Sequence, residues 1–318
     1  VVLGRLSHAY LFTGTRGTGK TTCAKIFARA VNCENPIDGN PCNKCPSCLG
    51  IESGSILDVI EMDAASNNGI NDVRALRDEA IYSPAAVKKR VYIIDEVHML
   101  SKDAFNALLK IMEEPPEHLM FILATTELYK VPATILSRCQ RFTFKRLPPE
   151  VIAARLSYIS SQEGLKLTDE AAELLARLAD GSMRDGISFL DQCSSAETIT
   201  AEHVRSAIGL AGRLETEKLL RAVESGDAAE ALSILDGLYS DGKDVAAVLE
   251  ELCALMRDIL LTKIAPKGGW GLQSGGYDSL TLKELASQIS AKRLMSDIET
   301  VQSALSAINA GGNRKICA

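Results

Sequence analysis

The chain has 318 residues, enough for two or three domains. An apolar share of 46% with 24% charged residues is ordinary for a soluble globular protein with a sizeable core, and no charge-free apolar run is long enough to cross a membrane. The net charge of −6 excludes a polycation, so any nucleic-acid contact must use a local basic face, backbone amides or other subunits.

The first predicted strand, 9–13, is the apolar run Ala9-Tyr10-Leu11-Phe12. It leads into Gly14-Thr15-Arg16-Gly17-Thr18-Gly19-Lys20-Thr21, and Thr22 opens a stretch with helical periodicity, giving a helix over 19–31. Strand, glycine-rich loop and helix are the context of a phosphate-binding loop. The glycines let backbone N–H groups turn inward around a polyphosphate, and the helix N-terminus adds partial positive charge. Lys20 would meet the β- and γ-phosphates, and the Thr21 hydroxyl would ligate Mg²⁺.

Four of the nine cysteines follow: Cys33, Cys42, Cys45 and Cys48. Two CxxC steps sharing Cys45, with turns at Pro36, Gly39, Pro41 and Pro46, offer four thiolates to one tetrahedral ion. Four sulfurs and no open position favour structural zinc over a catalytic ion. An iron–sulfur cluster and free thiols are the alternatives. This tight cluster points away from a secreted disulfide framework. With no signal peptide in view, a cytoplasmic protein is expected.

Strands are expected at 56–62, 90–97, 119–126 and 141–144, with helices near 70–83, 101–113 and 132–138. Strands this apolar, alternating with helices, imply an α/β domain with a parallel sheet covered on both faces, and ligands bind at the carboxyl ends of such strands. Three candidate features fall there. Asp95 and Glu96 close an apolar strand; after a phosphate loop, Asp95 would hold Mg²⁺, and Glu96 would orient and deprotonate a water. His98 is expected to pack or hydrogen-bond. Thr125 and Thr126 close the next strand, where a hydroxyl could meet a γ-phosphate or simply cap the strand. Arg138, in Ser137-Arg138-Cys139, is either a surface ion-pair partner or a finger aimed at a neighbour's nucleotide.

The α/β pattern breaks at Lys145-Arg146-Leu147-Pro148-Pro149-Glu150, which marks a domain boundary. Helices alone are expected at 150–163, 169–180, 182–195 and 201–209, with Thr168, Ser182 and Thr200 as N-caps. Arg184 in a first helical turn opposes the helix dipole and calls for an anionic partner, either Asp185 or a phosphate. Beyond, helices are expected at 213–224, 227–240, 244–265, 281–289 and 290–309, with a glycine-rich loop over 267–277. The apolar face of 244–265 is expected to be an intramolecular core. Val1 is not Met and 313–318 reads as a continuing helix, so the chain is expected to be a piece of a longer protein.

Taken together, several motifs resemble the gamma/tau subunits of bacterial DNA polymerase III clamp loaders, which are AAA+ ATPases. They are His8-Ala9-Tyr10-Leu11-Phe12 with the phosphate loop, the cysteine quartet, Glu61-Met62-Asp63-Ala64-Ala65-Ser66 and Ile94-Asp95-Glu96-Val97-His98-Met99-Leu100. Asn106-Ala107-Leu108-Leu109-Lys110 with Glu113-Glu114-Pro115-Pro116, Ala124-Thr125-Thr126 and Ser137-Arg138-Cys139 complete the set. The match is strong over 5–210 and architectural beyond. The resemblance implies an AAA+ domain over 1–147 with a zinc module at 33–48, a helical lid over 148–210 and a helical collar over 211–318.

The resemblance further implies that Thr126 senses the γ-phosphate, that Arg138 acts in trans, and that Arg184 contacts nucleotide in cis. The implied cofactors are ATP, Mg²⁺ and Zn²⁺. The implied partners are delta, delta-prime and further gamma/tau subunits, the sliding clamp and primer–template DNA, with no membrane. Arg74 and Lys110 are the candidates for DNA-backbone contacts. Asn67-Asn68-Gly69 stands where relatives often carry basic residues, which weakens side-chain DNA contact at that turn. The implied function is ATP-dependent loading of the clamp onto primed DNA. The rivals are a non-hydrolysing sibling subunit, another AAA+ DNA motor such as a branch-migration helicase, and a zinc-based nucleic-acid module. Intact Lys20-Thr21 and Asp95-Glu96 oppose the first, and the quartet with Ser137-Arg138-Cys139 opposes the second.

Overall fold

In the computed structural model, residues 6–208, 213–265, 277 and 279–310 are described. The glycine-rich stretch 267–276, position 209 and the helical pattern at 313–318 lie outside them. The chain divides into two units, Val1–Pro148 with Gly181–Asp185, and Pro149–Asp180 with Gly186–Ala318.

The first unit is built on β1 (Ala9–Gly14), β2 (Val59–Asp63), β3 (Arg90–Asp95), β4 (Leu119–Thr125) and β5 (Gln140–Phe144). All pair in parallel, in the order β2-β3-β4-β1-β5. Every residue of β4 is buried, as a central strand covered on both faces must be. The order inserts β4 between β1 and β3, so its carboxyl end separates the loop after β1 from the acids after β3. In register, Thr13 of β1 lies beside Thr125 of β4, and Ile94 of β3 beside Leu123.

On one face, α1 (Lys20–Asn32) lays its small residues Ala24 and Ala28, with Val31, against Tyr10, Phe12, Ile93 and Ile122. Small side chains at this helical spacing bring the helix axis close to the sheet. The other face is covered by α3 (Ile70–Ala80), α4 (Lys102–Glu113) and the short α5 (Ala133–Leu136). Ser101 caps α4, its hydroxyl accepting from Ala104 N at 3.2 Å.

The cysteine segment contains a helix that spacing did not suggest, α2 (Pro46–Glu52). Cys45 is its N-cap, the thiol accepting from Cys48 N, and Pro46 occupies the first helical position, where its missing N–H is no loss. The strand expected from 56 starts at Val59, and the helix expected to reach 83 ends at Ala80.

The second unit holds α6 (Pro149–Gln162), α7 (Asp169–Leu178), most of α8 (Met183–Gln192), α9 (Ala201–Ile208), α10 (Arg213–Ser225), α11 (Ala228–Ser240), α12 (Val245–Ile264), α13 (Ser279–Gln288) and α14 (Ala291–Asn309). The expectation of helices alone before 209 is corrected: β6 (Lys166–Leu167) and β7 (Thr198–Ile199) pair in parallel. Two residues are too few for any periodicity to announce a strand. Thr168 and Thr200 cap α7 and α9 as expected, accepting from Ala171 N and His203 N. The apolar face of α12 is covered within the chain, with Leu252, Leu255, Met256 and Ile259 packed among residues of α10, α11, α13 and α14. Among the described residues no helix is long and apolar enough to cross a membrane.

Candidate functional site

β1 delivers the chain to Gly14, where φ is 146° and a Cβ would stand 2.2 Å from the Phe144 carbonyl oxygen. The loop turns through Gly17 and Gly19, both left-handed, and α1 begins at Lys20. Thr18 donates its hydroxyl to Thr15 O at 2.8 Å. Lys20 is buried, and its Nζ donates to the carbonyls of Gly14 (3.0 Å) and Thr15 (2.9 Å), folding the side chain back over the loop. Burial pushes its pKa down, against the opposing pull of Glu96 and Asp95, and Arg184 adds to the lowering. Arg184 therefore sits within electrostatic reach of Lys20, exposed in the first turn of α8. The same turn braces the loop: Met183 N donates to Gly17 O at 3.0 Å. A Cβ on Gly17 would fall 1.8 Å from Ser182 Oγ.

The acids face this loop from the end of β3. Thr21 donates its hydroxyl to Asp95 Oδ2 at 2.5 Å, joining the two residues expected to share Mg²⁺. Glu96 is left-handed, at φ 46° and ψ 44°, and its N–H donates to Asp95 Oδ1 at 2.9 Å. That turn sends consecutive acids in different directions, which no strand-end pattern reveals. Glu96 Oε2 accepts from the Thr126 hydroxyl at 3.0 Å and from Thr126 N at 3.3 Å.

The two threonines thus separate. Thr126 engages Glu96, while Thr125 is fully buried, accepts from Glu127 N and lies 3.0 Å from His98 Nδ1. Glu127 is held below the usual carboxylate range, first by the hydrogen bond from Lys130 and then by that from Tyr129.

Arg138 lies elsewhere. Its guanidinium donates to Thr134 O and to Glu113 Oε1, both at 2.8 Å, and no residue of its own chain's phosphate loop or acid pair is among these contacts. Glu113, at the end of α4, is a neighbour that motif spacing did not suggest. Arg74 on α3 and Lys110 on α4 are exposed and form no ion pair among the described residues. Thr15, Arg16 and Thr22 are exposed along the loop and first helical turn.

The quartet converges. The sulfurs of Cys33, Cys42, Cys45 and Cys48 all lie within 4.8 Å of one another, and none is in a disulfide. Backbone amides serve them: Cys42 N donates to Cys33 Sγ (3.3 Å), Cys45 N to Cys42 Sγ (3.3 Å) and Cys48 N to Cys45 Sγ (3.4 Å). The amides of Lys44 and Cys45 pull the Cys42 thiol down to about 6, whereas burial pushes Cys48 up to about 12. This donor set fits a thiophilic tetrahedral ion. The cluster is tied to the core through α1: Lys88 donates to Cys33 O at 2.7 Å, and the Asn32 amide exchanges two hydrogen bonds with the Lys89 backbone.

Three family models cover successive parts of the chain. "DNA polymerase III, delta subunit" matches residues 2–148, "DNA polymerase III clamp loader subunit, ATPase lid domain" 151–195, and "DNA polymerase III subunits gamma and tau domain III" 199–317. The DNA polymerase III subunit tau of Bacillus subtilis is 49% identical over 93% of this chain and 53% of its own length. That of Escherichia coli is 41% identical over 83% of this chain and 41% of its own length. The chain thus spans about half, or less, of these curated relatives.

Among solved structures, a DNA polymerase III gamma subunit-related protein from Thermotoga maritima is 20% identical, with a TM-score of 0.45 over 99% of this chain and 93% of that one. The Thermotoga maritima RuvB branch-migration motor is 18% identical, with a TM-score of 0.46 over 70% of each chain. The sequence matches, covering nearly the whole chain, are decisive: it belongs to the gamma/tau family of bacterial DNA polymerase III clamp-loader subunits, which are AAA+ proteins.

Proposed function

We propose that the chain is the ATP-hydrolysing motor of a clamp loader, coupling nucleotide turnover to placement of a sliding clamp on primed DNA. The convergence of Lys20, the Thr21–Asp95 pair and the Thr126–Glu96 pair at the carboxyl ends of β1, β3 and β4 carries this reading. It is the arrangement phosphoryl transfer needs, in which positioning and charge stabilisation do most of the work.

Gly14, Thr15, Arg16, Gly17, Thr18, Gly19 and Thr22 wrap the phosphates of ATP, and Lys20 swings from the loop carbonyls to the β- and γ-oxygens. Thr21 and Asp95 would hold Mg²⁺, which when bound neutralises charge on the phosphate oxygens. Glu96 accepts a proton from the attacking water as its oxygen bonds to the γ-phosphorus and the β–γ bridging bond breaks. Thr126 keeps Glu96 oriented, and Arg184 meets phosphate in cis. Arg138 leaves Glu113 for the γ-phosphate of a neighbouring subunit.

The three matched segments suggest an ATPase domain over 1–147, a lid over 148–210 and a collar over 211–318. Cys33, Cys42, Cys45 and Cys48 would hold structural zinc. Delta, delta-prime and further gamma/tau subunits, the clamp and primer–template DNA are the proposed partners, with Arg74 and Lys110 toward the DNA backbone, in the cytoplasm.

The test is the ATPase rate of the full-length protein, measured with primed DNA, clamp and partner subunits added singly and together. Stimulation that needs all of them is the expected result; a rate indifferent to every addition overturns the proposal.

A further inference from the structure

One buried side chain at the site has no part in the hydrolysis outlined above. His98 lies in the 3-10 turn Val97–Met99 that follows Glu96, and its side chain is only 6% exposed. Its Nδ1 is 3.0 Å from Thr125 Oγ1 and 3.4 Å from Glu96 Oε2. Its Nε2 is 3.6 Å from Glu127 Oε1. A ring kept for packing alone would not need a polar partner on each side.

We propose that His98 is a positioning residue for Glu96, its Nδ1 anchored on Thr125 Oγ1 and set against Glu96 Oε2. The inference rests on the reading of Glu96 as general base. Two donors then hold one carboxylate oxygen, the Thr126 hydroxyl and the Thr126 amide, and the His98 ring stands against the same oxygen at 3.4 Å. They come from two segments, the end of β4 and the turn after β3. No partner to Glu96 Oε1 occurs among the described residues, so the carboxylate is held by Oε2 and presents Oε1.

The ring is itself located. Thr125 cannot move, being fully buried and engaged by Glu127 N, and Glu127 stands at the far nitrogen. A carboxylate fixed in this way has already lost the rotational freedom that the transition state would otherwise have to remove. His98 thereby acts on turnover and leaves nucleotide binding to the loop.

The experiment compares His98→Ala, His98→Asn and His98→Gln in the assembled clamp-loader complex with primed DNA, with melting temperatures recorded alongside. Asparagine sets an amide near the place of Nδ1, and glutamine near that of Nε2. We expect kcat to fall about ten-fold in H98A and H98Q with KM within about two-fold of wild type, and H98N to recover most of the rate. Equal losses in H98N and H98Q, a wild-type kcat in H98A, or a change confined to KM overturns the inference. Because H98A could fail to fold, the Asn–Gln contrast at matched melting temperature decides. Glu96→Gln is the control for the underlying reading. If E96Q hydrolyses normally, the general-base assignment falls; if E96Q is inactive while H98A is normal, only the role of His98 falls.

Discussion

Glu96 and Thr126 show how much of a site is carried by one contact. The proposed base is aimed by a hydroxyl from the adjacent strand, at 3.0 Å. Thr126→Val removes that donor and keeps the shape. In the assembled complex it should lower kcat about ten-fold with little change in KM, measured by steady-state hydrolysis. At the phosphate loop, Gly17 carries a φ of 74°, and a Cβ there would overlap Ser182 Oγ. Gly17→Ala should therefore cost about 1–3 kcal/mol and abolish tight binding of ATP analogues. Adding Ser182→Gly should recover part of the stability, because it removes the overlap and leaves the backbone strain. Residue types at this site were legible in the sequence, since a phosphate loop and an acid pair announce themselves by spacing. Their pairings were not. Which threonine meets Glu96 depends on the left-handed turn at Glu96, and no periodicity encodes that.

At the scale of elements, helices with a cap and a clear apolar face were found at nearly their observed bounds, α4 and α7 among them. The misses have physical causes. Pro46 looked like a turn residue and is instead the first residue of α2, a place that proline suits. β6 and β7 are too short to show alternation. The cysteine segment makes its own prediction. α2 starts on a metal-binding candidate, and Arg29 of α1 pairs with Glu52 at its end, at 2.9 Å. If the quartet holds zinc, Cys45→Ser should remove it, read as zinc per chain by elemental analysis. The melting temperature should drop by several degrees, because a structural metal contributes directly to folding. Wild-type protein without zinc, melting at the same temperature as the variant, would show the quartet to be free thiols.

For the whole molecule, the α/β character of the first half could be read from alternating apolar runs, but the strand order could not. Connection rules leave several orders open, and the observed one, with β4 between β1 and β3, puts Thr125 and Thr126 between the loop and the acids. The second unit carries a pH dependence of its own. Glu251 on α12 is pushed up to about 7, mainly by burial, against the hydrogen bond from Thr216 and the charges of Arg205 and Lys243. A carboxyl raised in the fold stabilises it while protonated. Its contribution is complete below the ordinary carboxylate pKa and is lost as pH rises through about 7. Glu251→Gln should thus melt a few degrees above wild type at pH 8 and close to it at pH 4, by calorimetry. No difference at pH 8 would assign Glu251 an ordinary pKa.

Arg138 already has an anion. Its guanidinium rests on Glu113 and on the Thr134 carbonyl, with the arginine side chain 32% and the glutamate side chain 53% exposed. An ion pair that open to water contributes at most about 1 kcal/mol. If Arg138 serves a neighbouring subunit, the step is an exchange of one oxyanion for another, and a charge is never left bare. Such a swap is nearly balanced, so small differences in what the neighbour presents are enough to tip it. A γ-phosphate outbids a solvated carboxylate; a diphosphate, one anionic group shorter, does not. The finger would then follow the neighbour's nucleotide through simple competition, with no separate device to withdraw it.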